Sequence, residues 1–162
     1  LAGLISEFLK DTGAVVPKAN PAYRRPSSAA GEWGASRDAT AGWNKGRLEI
    51  VSSGGDPFVF VGGLPAGQGP FTVSFVFNSN SKGPGQVFWQ TAGDKGFHRD
   101  RSVIFKPVHD GNDHRVELKL PAEAPIIALR IDPAADKGTI TLGEIRLTDG
   151  RGKVVRSWPE GR

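Results

Sequence analysis

The stretch Phe71-Thr72-Val73-Ser74-Phe75-Val76-Phe77 decides the fold class of this chain. Large apolar residues stand at every second position, mostly with threonine or serine between them. Successive side chains of an extended strand point to opposite faces, so this alternation places one apolar row against a core. We therefore predict a β-strand here, with one face buried and the other facing solvent.

The same period of two recurs along the chain and predicts more strands. Leu48 and Ile50 form one apolar row, a second row lies in 115–120, and a third comprises Ile127, Leu129 and Ile131. Further strands are predicted at Pro57–Val61, Gln86–Thr91, Ser102–Pro107, Thr139–Thr148 and Lys153–Trp158. Clusters of glycine, aspartate, asparagine and proline between these segments indicate turns. Strands at this spacing without helices between them are typical of a sandwich or barrel. The fold class is therefore predicted as all-β, an antiparallel β-sandwich of jelly-roll type.

The longest predicted strand contains a change of phase. Ile140 and Leu142 are out of step with Ile145 and Leu147, and Gly143 lies between the two pairs. An extra residue in one strand of an antiparallel pair restores the apolar face after such a slip. We predict a bulge or bend at this point.

The first thirty residues differ from the rest. A helix is predicted over the first twelve, because one apolar face at helical spacing comprises Leu1, Leu4, Ile5, Phe8 and Leu9. Prolines at 17, 21 and 26 then predict an extended connector. We expect two units, a helix with its connector at 1–30 and a β-sandwich module at 31–162. Because the chain starts at Leu1 without a signal peptide, we expect it to be a piece of a longer protein.

Composition excludes several kinds of site. The 162 residues contain no cysteine, so disulfides and thiolate metal sites are excluded. The net charge of +4 is dispersed rather than gathered in a lysine or arginine block, and we expect neither nucleic acid nor membrane as a partner. The nucleophile elbow, the phosphate-binding glycine loop and the His-Glu-x-x-His helix are all missing. A binding or structural role is favoured over catalysis.

Two features predict a ligand-binding surface. The segment Ala92–Arg101, between two predicted strands, carries Phe97 among its basic residues. Guanidinium groups pair with planar anions, and an aromatic ring can stack beneath them. Trp43 lies in a predicted loop at 41–46, and a flat indole complements the hydrogens of a sugar ring. The alternatives are a solvated loop and core packing of the tryptophan, the latter being expected for Trp89. The candidate ligand-binding residues are Trp43, Lys95, His98, Arg99 and Arg101.

Two polar patterns are candidates for metal sites. The densest is His109-Asp110-Gly111-Asn112-Asp113-His114, whose spacing fits no familiar metal loop and whose Gly111 and Asn112 indicate a hairpin turn. Asp56-Pro57 and Asp132-Pro133 lie at strand edges, where an aspartate can bond exposed backbone amides. Calcium is the alternative for these oxygen ligands. We predict no catalytic residue, no metal site and no cofactor, with calcium as the less favoured alternative.

The segment from Phe8 to Tyr23 resembles the last helix and exit strap of bacterial sulfatases of the arylsulfatase type. The resemblance rests on the phrase Gly13-Ala14-Val15-Val16-Pro17-Lys18-Ala19-Asn20-Pro21-Ala22-Tyr23. The rest of the chain resembles, less specifically, the β-sandwich that some such sulfatases carry behind the catalytic domain. That part rests on Gly55-Asp56-Pro57-Phe58, Phe88-Trp89-Gln90-Thr91 and Leu129-Arg130-Ile131-Asp132-Pro133.

The resemblance implies a parent sulfatase, a sulfuric-ester hydrolase, in the bacterial periplasm or outside the cell. Sulfatases act through a cysteine or serine set in Cys/Ser-x-Pro-x-Arg and bind calcium through aspartates. Ser157 and Pro159 imitate the motif, but Gly161 stands where arginine is required, so no catalytic residue transfers. We expect a non-catalytic accessory module that binds an anionic, sulfated polysaccharide beside the parent's catalytic domain. The alternative is a structural domain that only packs against that catalytic domain, and an independent enzyme is a third, weaker hypothesis.

Overall fold

A computed structural model describes residues 32–65 and 67–159, which form two antiparallel sheets. The helix predicted over the first twelve residues and its connector lie outside this range. The strands are β1 (Gly34–Ala35), β2 (Ala39–Asn44), β3 (Arg47–Ser52), β4 (Val59–Val61), β5 (Phe71–Ser79), β6 (Gly85–Thr91), β7 (Ser102–Phe105), β8 (His114–Leu120), β9 (Ile126–Asp132), β10 (Gly138–Thr148) and β11 (Val154–Trp158). A 3₁₀ turn covers Arg99–Arg101 between β6 and β7.

Sheet A has the order β1-β4-β9-β6-β7, and sheet B has the order β2-β3-β10-β5-β8, with β11 also paired to β10. Every strand pairing in both sheets is antiparallel. The four-stranded orders β3-β10-β5-β8 and β4-β9-β6-β7 are those of a jelly roll, to which β1, β2 and β11 are added. The predicted antiparallel sandwich is confirmed. Within the described ranges, no helix has the length and apolar character needed to cross a membrane.

The predicted apolar row of β5 lies in the centre of the core. Phe71, Val73, Phe75 and Phe77 are each at most 1% exposed. Burying each such side chain contributes roughly 1.5–3 kcal/mol relative to exposure. Phe105 of β7 packs edge-on against Phe75 and Phe77, with ring centroids 6.0 and 6.3 Å apart, and so joins the two sheets.

The predicted irregularity in β10 is confirmed. Gly143 pairs with Val76, but the next pairing with β5 joins Arg146 to Ser74, so the register shifts between them. Glu144 takes up the shift with a φ of 46°, and Ile145 returns to the core at 0% exposure. Beyond the bulge, β11 replaces β3 as the neighbour of β10.

The predicted face of β9 is wrong at one position. Thr91 pairs with Ile126 and Gln90 with Ala128, so a bulge passes over Ile127. Ile126 is buried at 1% exposure, whereas Ile127 is 36% exposed. The alternation of buried and exposed side chains shifts because the pairing with β6 leaves out one residue of β9. The apolar pattern within β9 alone does not reveal where such a bulge falls.

The loop predicted at 41–46 is largely a strand, which corrects the sequence analysis. Residues Ala39–Asn44 form β2, and Trp43 pairs with Leu48 of β3. The connection is the pair Lys45-Gly46, with φ values of 52° and 78°. Two positive φ angles are typical of a type I′ hairpin turn, which the glycine tolerates without cost. The scarcity of large apolar residues in β2 concealed the strand.

Candidate functional site

The outer side of sheet A carries aromatic residues where a solvated strand face usually carries polar ones. The register aligns Phe60 of β4 with Arg130 of β9, and Arg130 with Phe88 of β6. The flanking residues in each strand are buried, so these three side chains point away from the core. Phe58 precedes β4, and its ring centroid lies 6.2 Å from that of Phe60. We call Phe58, Phe60, Phe88 and Arg130 the aromatic face.

Arg130 lies at the centre of the aromatic face. Its Cζ atom is 3.7 Å from the ring centroid of Phe58 and 4.6 Å from that of Phe88. Its Nε and Nη2 donate hydrogen bonds to the two carboxylate oxygens of Asp132, at 2.7 and 2.8 Å. A guanidinium carries five N–H donors, so hydrogen-bonding capacity remains for a ligand. The arginine is therefore held in a fixed orientation by two rings and one carboxylate.

Asp132 is partly buried, with 16% of its side chain exposed against 21% for Arg130. Burial raises the pKa of its carboxyl group, and the hydrogen bonds from Arg130 act in the opposite direction. Asp56 lies farther out, with Oδ1 3.9 Å from Nη2 of Arg130. Instead of bonding backbone amides, as expected from the sequence, Asp132 anchors the arginine.

Next to the aromatic face lies a cavity of about 400 Å³, which we call the Glu32 cavity. It is lined by Glu32, Phe60, Val61, Gly62, Gln90, Phe97 and Ala128. Glu32 is the one charged residue among these lining residues, and Gln90 adds a carboxamide. The cavity thus combines two aromatic rings with two hydrogen-bonding groups, a combination found in many small-molecule sites.

Glu32 is tied to the last strand of sheet B. Its Oε2 accepts hydrogen bonds from Arg156 and from the indole Nε1 of Trp158, the latter at 3.1 Å. Trp158 also packs edge-on against Trp33, with 5.2 Å between ring centroids, and both indoles are buried. These contacts join the residues just before β1 in sheet A to β11 in sheet B.

A second cavity of about 280 Å³ adjoins the other side of the aromatic face. It is lined by Ser36, Arg37, Asp38, Asp56 and Phe58. Asp38 accepts the backbone N–H of Asp56 at 3.0 Å, and Ser36 donates to the Asp56 carbonyl at 3.0 Å. These bonds fix the chain that leads into Phe58.

Phe60 is positioned by a glycine on the neighbouring strand. Gly34 of β1 pairs with Phe60, and a β-carbon built on Gly34 would lie only 2.5 Å from the ring's Cζ. The ring therefore covers the bare backbone of β1, an approach that a larger residue would prevent.

Trp43, the aromatic residue favoured by the sequence analysis, lies on the other sheet. It is half-buried on β2, and its side chain packs against the core. Trp89 is buried at 4% exposure, as predicted.

The basic segment at 92–101 leads from β6 to β7 and adjoins the Glu32 cavity through Phe97. Arg101 pairs with Asp94 at 3.0 Å, and Asp94 accepts the backbone N–H of Thr91, so this guanidinium is engaged within the segment. Lys95 and Arg99 are exposed and form no ion pair with any described residue. His98 is exposed between them.

The segment His109–His114 is a turn, as interpreted, but it crosses from β7 in sheet A to β8 in sheet B and so closes no hairpin. His109 bonds Ser79 Oγ at 2.7 Å and the Gly83 carbonyl at 2.8 Å, and its ring packs edge-on against Phe77. Among residues 32–65 and 67–159, no group of three or more histidine, aspartate or glutamate side chains is arranged to hold a metal ion.

The fold is similar to that of carbohydrate-binding modules of family 29. An arginine-to-alanine variant of such a module has a TM-score of 0.52 at 11% identity, over 68% of this chain and 75% of that one. A tyrosine-to-alanine variant has a TM-score of 0.51 at 13% identity, with the same shares covered. A lysine-to-alanine variant complexed with cellulohexaose has a TM-score of 0.50 at 11% identity, over 68% and 74%. All three are described as probing ligand recognition. No family model matches the chain, and no curated protein does.

The aromatic face escaped the sequence analysis, although its strands did not. Phe60 stands between Val59 and Val61, and Phe88 between Val87 and Trp89, so continuous apolar runs hid the outward positions. Arg130, by contrast, stands out in its alternating strand. The charged Arg130 between apolar residues is the signal that the sequence alone offered.

Proposed function

We propose that this chain is a carbohydrate-binding module and that the aromatic face of sheet A is where it binds a polysaccharide. The observation that carries the proposal is the placement of Phe60, Arg130 and Phe88 in one row across three adjacent strands. Aromatic rings offer a flat apolar surface to the C–H groups of a pyranose, and the arginine offers hydrogen-bond donors to its hydroxyls. The similarity to family 29 modules, one of them complexed with cellulohexaose, supports this proposal at the level of the fold.

The size and lining of the site suit an extended sugar chain. Cavities adjoin the aromatic face on both sides, of about 400 and about 280 Å³. Gln90 in the Glu32 cavity, and Gln86 near Asp132, carry carboxamides that both donate and accept. A polysaccharide crossing the aromatic face would therefore find hydrogen-bonding groups on both sides of the rings.

Sulfation of the polysaccharide is the finer part of the proposal. Arg130 already pairs with Asp132, so the cations available for a sulfate are those of the neighbouring segment, Lys95 and Arg99, with His98 and Arg101 beside them. Trp43 remains a candidate for an additional contact, although it lies on sheet B. A sulfated chain would place its sugar rings on the aromatic face and its sulfates on this segment.

We also propose that the module belongs to a sulfatase and acts outside the cytoplasm. The support is the resemblance of residues 8–23 to the exit strap of that family. In that setting the module would hold the catalytic domain near its substrate, because linkage raises the effective concentration to about mM even when each contact is weak. The family's catalytic motif is missing from this chain, so we expect the chain itself not to hydrolyse an aryl sulfate. Detectable hydrolysis would contradict this expectation.

The experiment is a glycan array, followed by titration calorimetry with cellohexaose and with the same hexasaccharide after chemical sulfation. Phe60→Ala should lower the affinity for the glycan that binds best about tenfold or more, the usual effect of removing an aromatic side chain that dominates an interface. Val51→Ala is the matched control, since Val51 is 47% exposed on the outer side of sheet B. The second candidate function, a structural domain that packs against the catalytic domain, is favoured if no glycan binds.

A further inference from the structure

Glu32 has two sets of neighbours that belong to different parts of the fold. Toward sheet A it lines the Glu32 cavity with Phe60, Gln90 and Phe97. Toward sheet B its carboxylate contacts Arg156 and Trp158 of β11. The residue therefore stands between the proposed glycan surface and the last strand of the sandwich.

The hydrogen bonds of the Glu32 carboxylate leave Oε1 without a partner among the described residues. Both hydrogen bonds that Glu32 accepts from described residues end on Oε2. The side chain of Glu32 remains 37% exposed, whereas that of Arg156 is 19% exposed. A carboxylate has about four lone-pair sites, so Oε1 is able to accept hydrogen bonds from a ligand.

We propose that Glu32 is a glycan-contacting residue, and that Arg156 and Trp158 are positioning residues that hold its carboxylate at the cavity. This proposal rests on the proposed carbohydrate-binding function. A carboxylate accepts hydrogen bonds and donates none, so it selects sugar hydroxyls. A sulfate bound in the Glu32 cavity would meet this negative charge, which assigns uncharged sugar units to the cavity and leaves any sulfated units to the segment at Lys95 and Arg99.

The aromatic walls fit the same assignment. Phe60 and Phe97 supply apolar surface, and Gln90 is oriented by its own bond to the Asp94 carbonyl at 3.3 Å. Trp158 is held by Trp33, so the donor that fixes Glu32 is part of the buried core. The strand β11 is thereby a component of the ligand site, although it lies in the opposite sheet.

The test measures the affinity of the full chain for cellohexaose, or for the best-bound uncharged glycan of the array, by calorimetry. Glu32→Gln and Glu32→Asp should each weaken binding about tenfold, since one removes the charge and the other shortens its reach. Arg156→Gln should weaken binding through loss of position, and Arg156→Lys should restore part of it. Arg115→Gln is the control, because Arg115 pairs with Glu144 on the outer side of sheet B.

Circular dichroism and a melting curve establish that each variant is folded. If Arg156→Gln does not fold, Arg156→Lys still tests the role of this residue. Unchanged or tighter binding by folded Glu32→Gln overturns this proposal while leaving carbohydrate binding intact, provided that Phe60→Ala still weakens binding about tenfold or more. Failure of the unmodified chain to bind any arrayed glycan overturns both.

Discussion

Arg130 stacks on Phe58, with Cζ 3.7 Å from the ring centroid, while its Nε and Nη2 are bound by Asp132 two residues along the same strand. Residues two apart in a strand lie on the same face, so β9 supplies both the cation and its anchor. The rings of Phe58 and Phe88 both contact the guanidinium of Arg130. The arrangement fixes a planar cation at the centre of the aromatic face.

The anchor and the arginine make separable contributions to stability and binding. Asp132 has a side chain only 16% exposed, so Arg130→Met would leave a largely buried carboxylate without its partner. Breaking a fully buried pair typically costs about 3–5 kcal/mol, whereas replacing both partners by apolar residues is often neutral. The Arg130–Asp132 pair is only partly buried, so we expect Arg130→Met to lower the free energy of unfolding by less than this and Arg130→Met/Asp132→Leu to recover most of the loss.

Glycan affinity should not recover in the double variant, although its stability does. Both variants lack the guanidinium donors, so both should bind more weakly than the unmodified chain. Urea unfolding and calorimetry on the same samples measure the two effects. Recovery of binding together with stability in the double variant would show that Arg130 serves only the fold.

Gly34 offers a way to move Phe60 without removing it. A methyl group on Gly34 would lie 2.5 Å from Cζ of Phe60, so Gly34→Ala should push the ring off β1. Because the ring is at the flexible end of a half-buried side chain, we expect a modest loss of stability, on the order of 1 kcal/mol. Binding should fall nearly as far as in Phe60→Ala. Full affinity in Gly34→Ala would mean that the orientation of this ring is not part of the site.

Salt dependence tests whether sulfate is recognised. Lys95→Ala/Arg99→Ala removes the two exposed cations beside Phe97. Exposed charges are screened over about 8 Å at physiological ionic strength, so binding of sulfated hexasaccharide should weaken as salt rises and should weaken in this variant. Binding of uncharged hexasaccharide should be nearly unaffected by either change. The matched control is Lys137→Ala/Lys153→Ala, which removes two other exposed lysines. Equal affinity for both hexasaccharides would remove sulfate from the proposal.

Much of the fold could be predicted from the sequence because its strands are solvated on one side. The alternation in β5 and the phase change at Gly143 have direct physical consequences, and both were found. β2 was missed because its sequence, ATAGWN, offers few large apolar residues. Ile127 was misplaced because a bulge depends on the partner strand as well as on the strand itself.

The candidate site was harder to predict for a related reason. The position of the segment with Lys95 and Arg99 between two strands was predicted, since loops are visible as breaks in the pattern, and its role in binding stays a prediction. The aromatic face depends on which residues of β4, β6 and β9 lie side by side, and only the sheet order brings Phe60, Arg130 and Phe88 into one row. Strand order joins residues that are far apart in the chain, which local periodicity does not encode.

Acid stability depends on several aspartates whose pKa values folding lowers. Hydrogen bonds from Arg47, at 2.8 Å to each carboxylate oxygen, and from Asn78 hold the pKa of Asp113 below its ordinary value. The pKa values of Asp94, Asp110 and Asp149 are also lowered, mainly by hydrogen bonds from Thr91, His114 and Lys153 respectively. A carboxyl group whose pKa is depressed by folding stabilises the protein above its unfolded pKa, and this contribution is lost as the pH falls. Asp132 acts in the opposite sense, because burial raises its pKa.

Folding lowers the pKa of four aspartates and raises the pKa of one. We therefore expect the melting temperature to fall as the pH drops below about 4, the region of the unfolded aspartate pKa. Asp113→Asn should lower the melting temperature at neutral pH and reduce its dependence on pH, since one of the four contributions is gone. Asp100→Asn, an exposed position on the 3₁₀ turn, is the control. Melting curves between neutral pH and acid pH at fixed ionic strength make the measurement. The same slope in Asp113→Asn as in the unmodified chain would contradict the assignment of acid sensitivity to the Arg47–Asp113 pair.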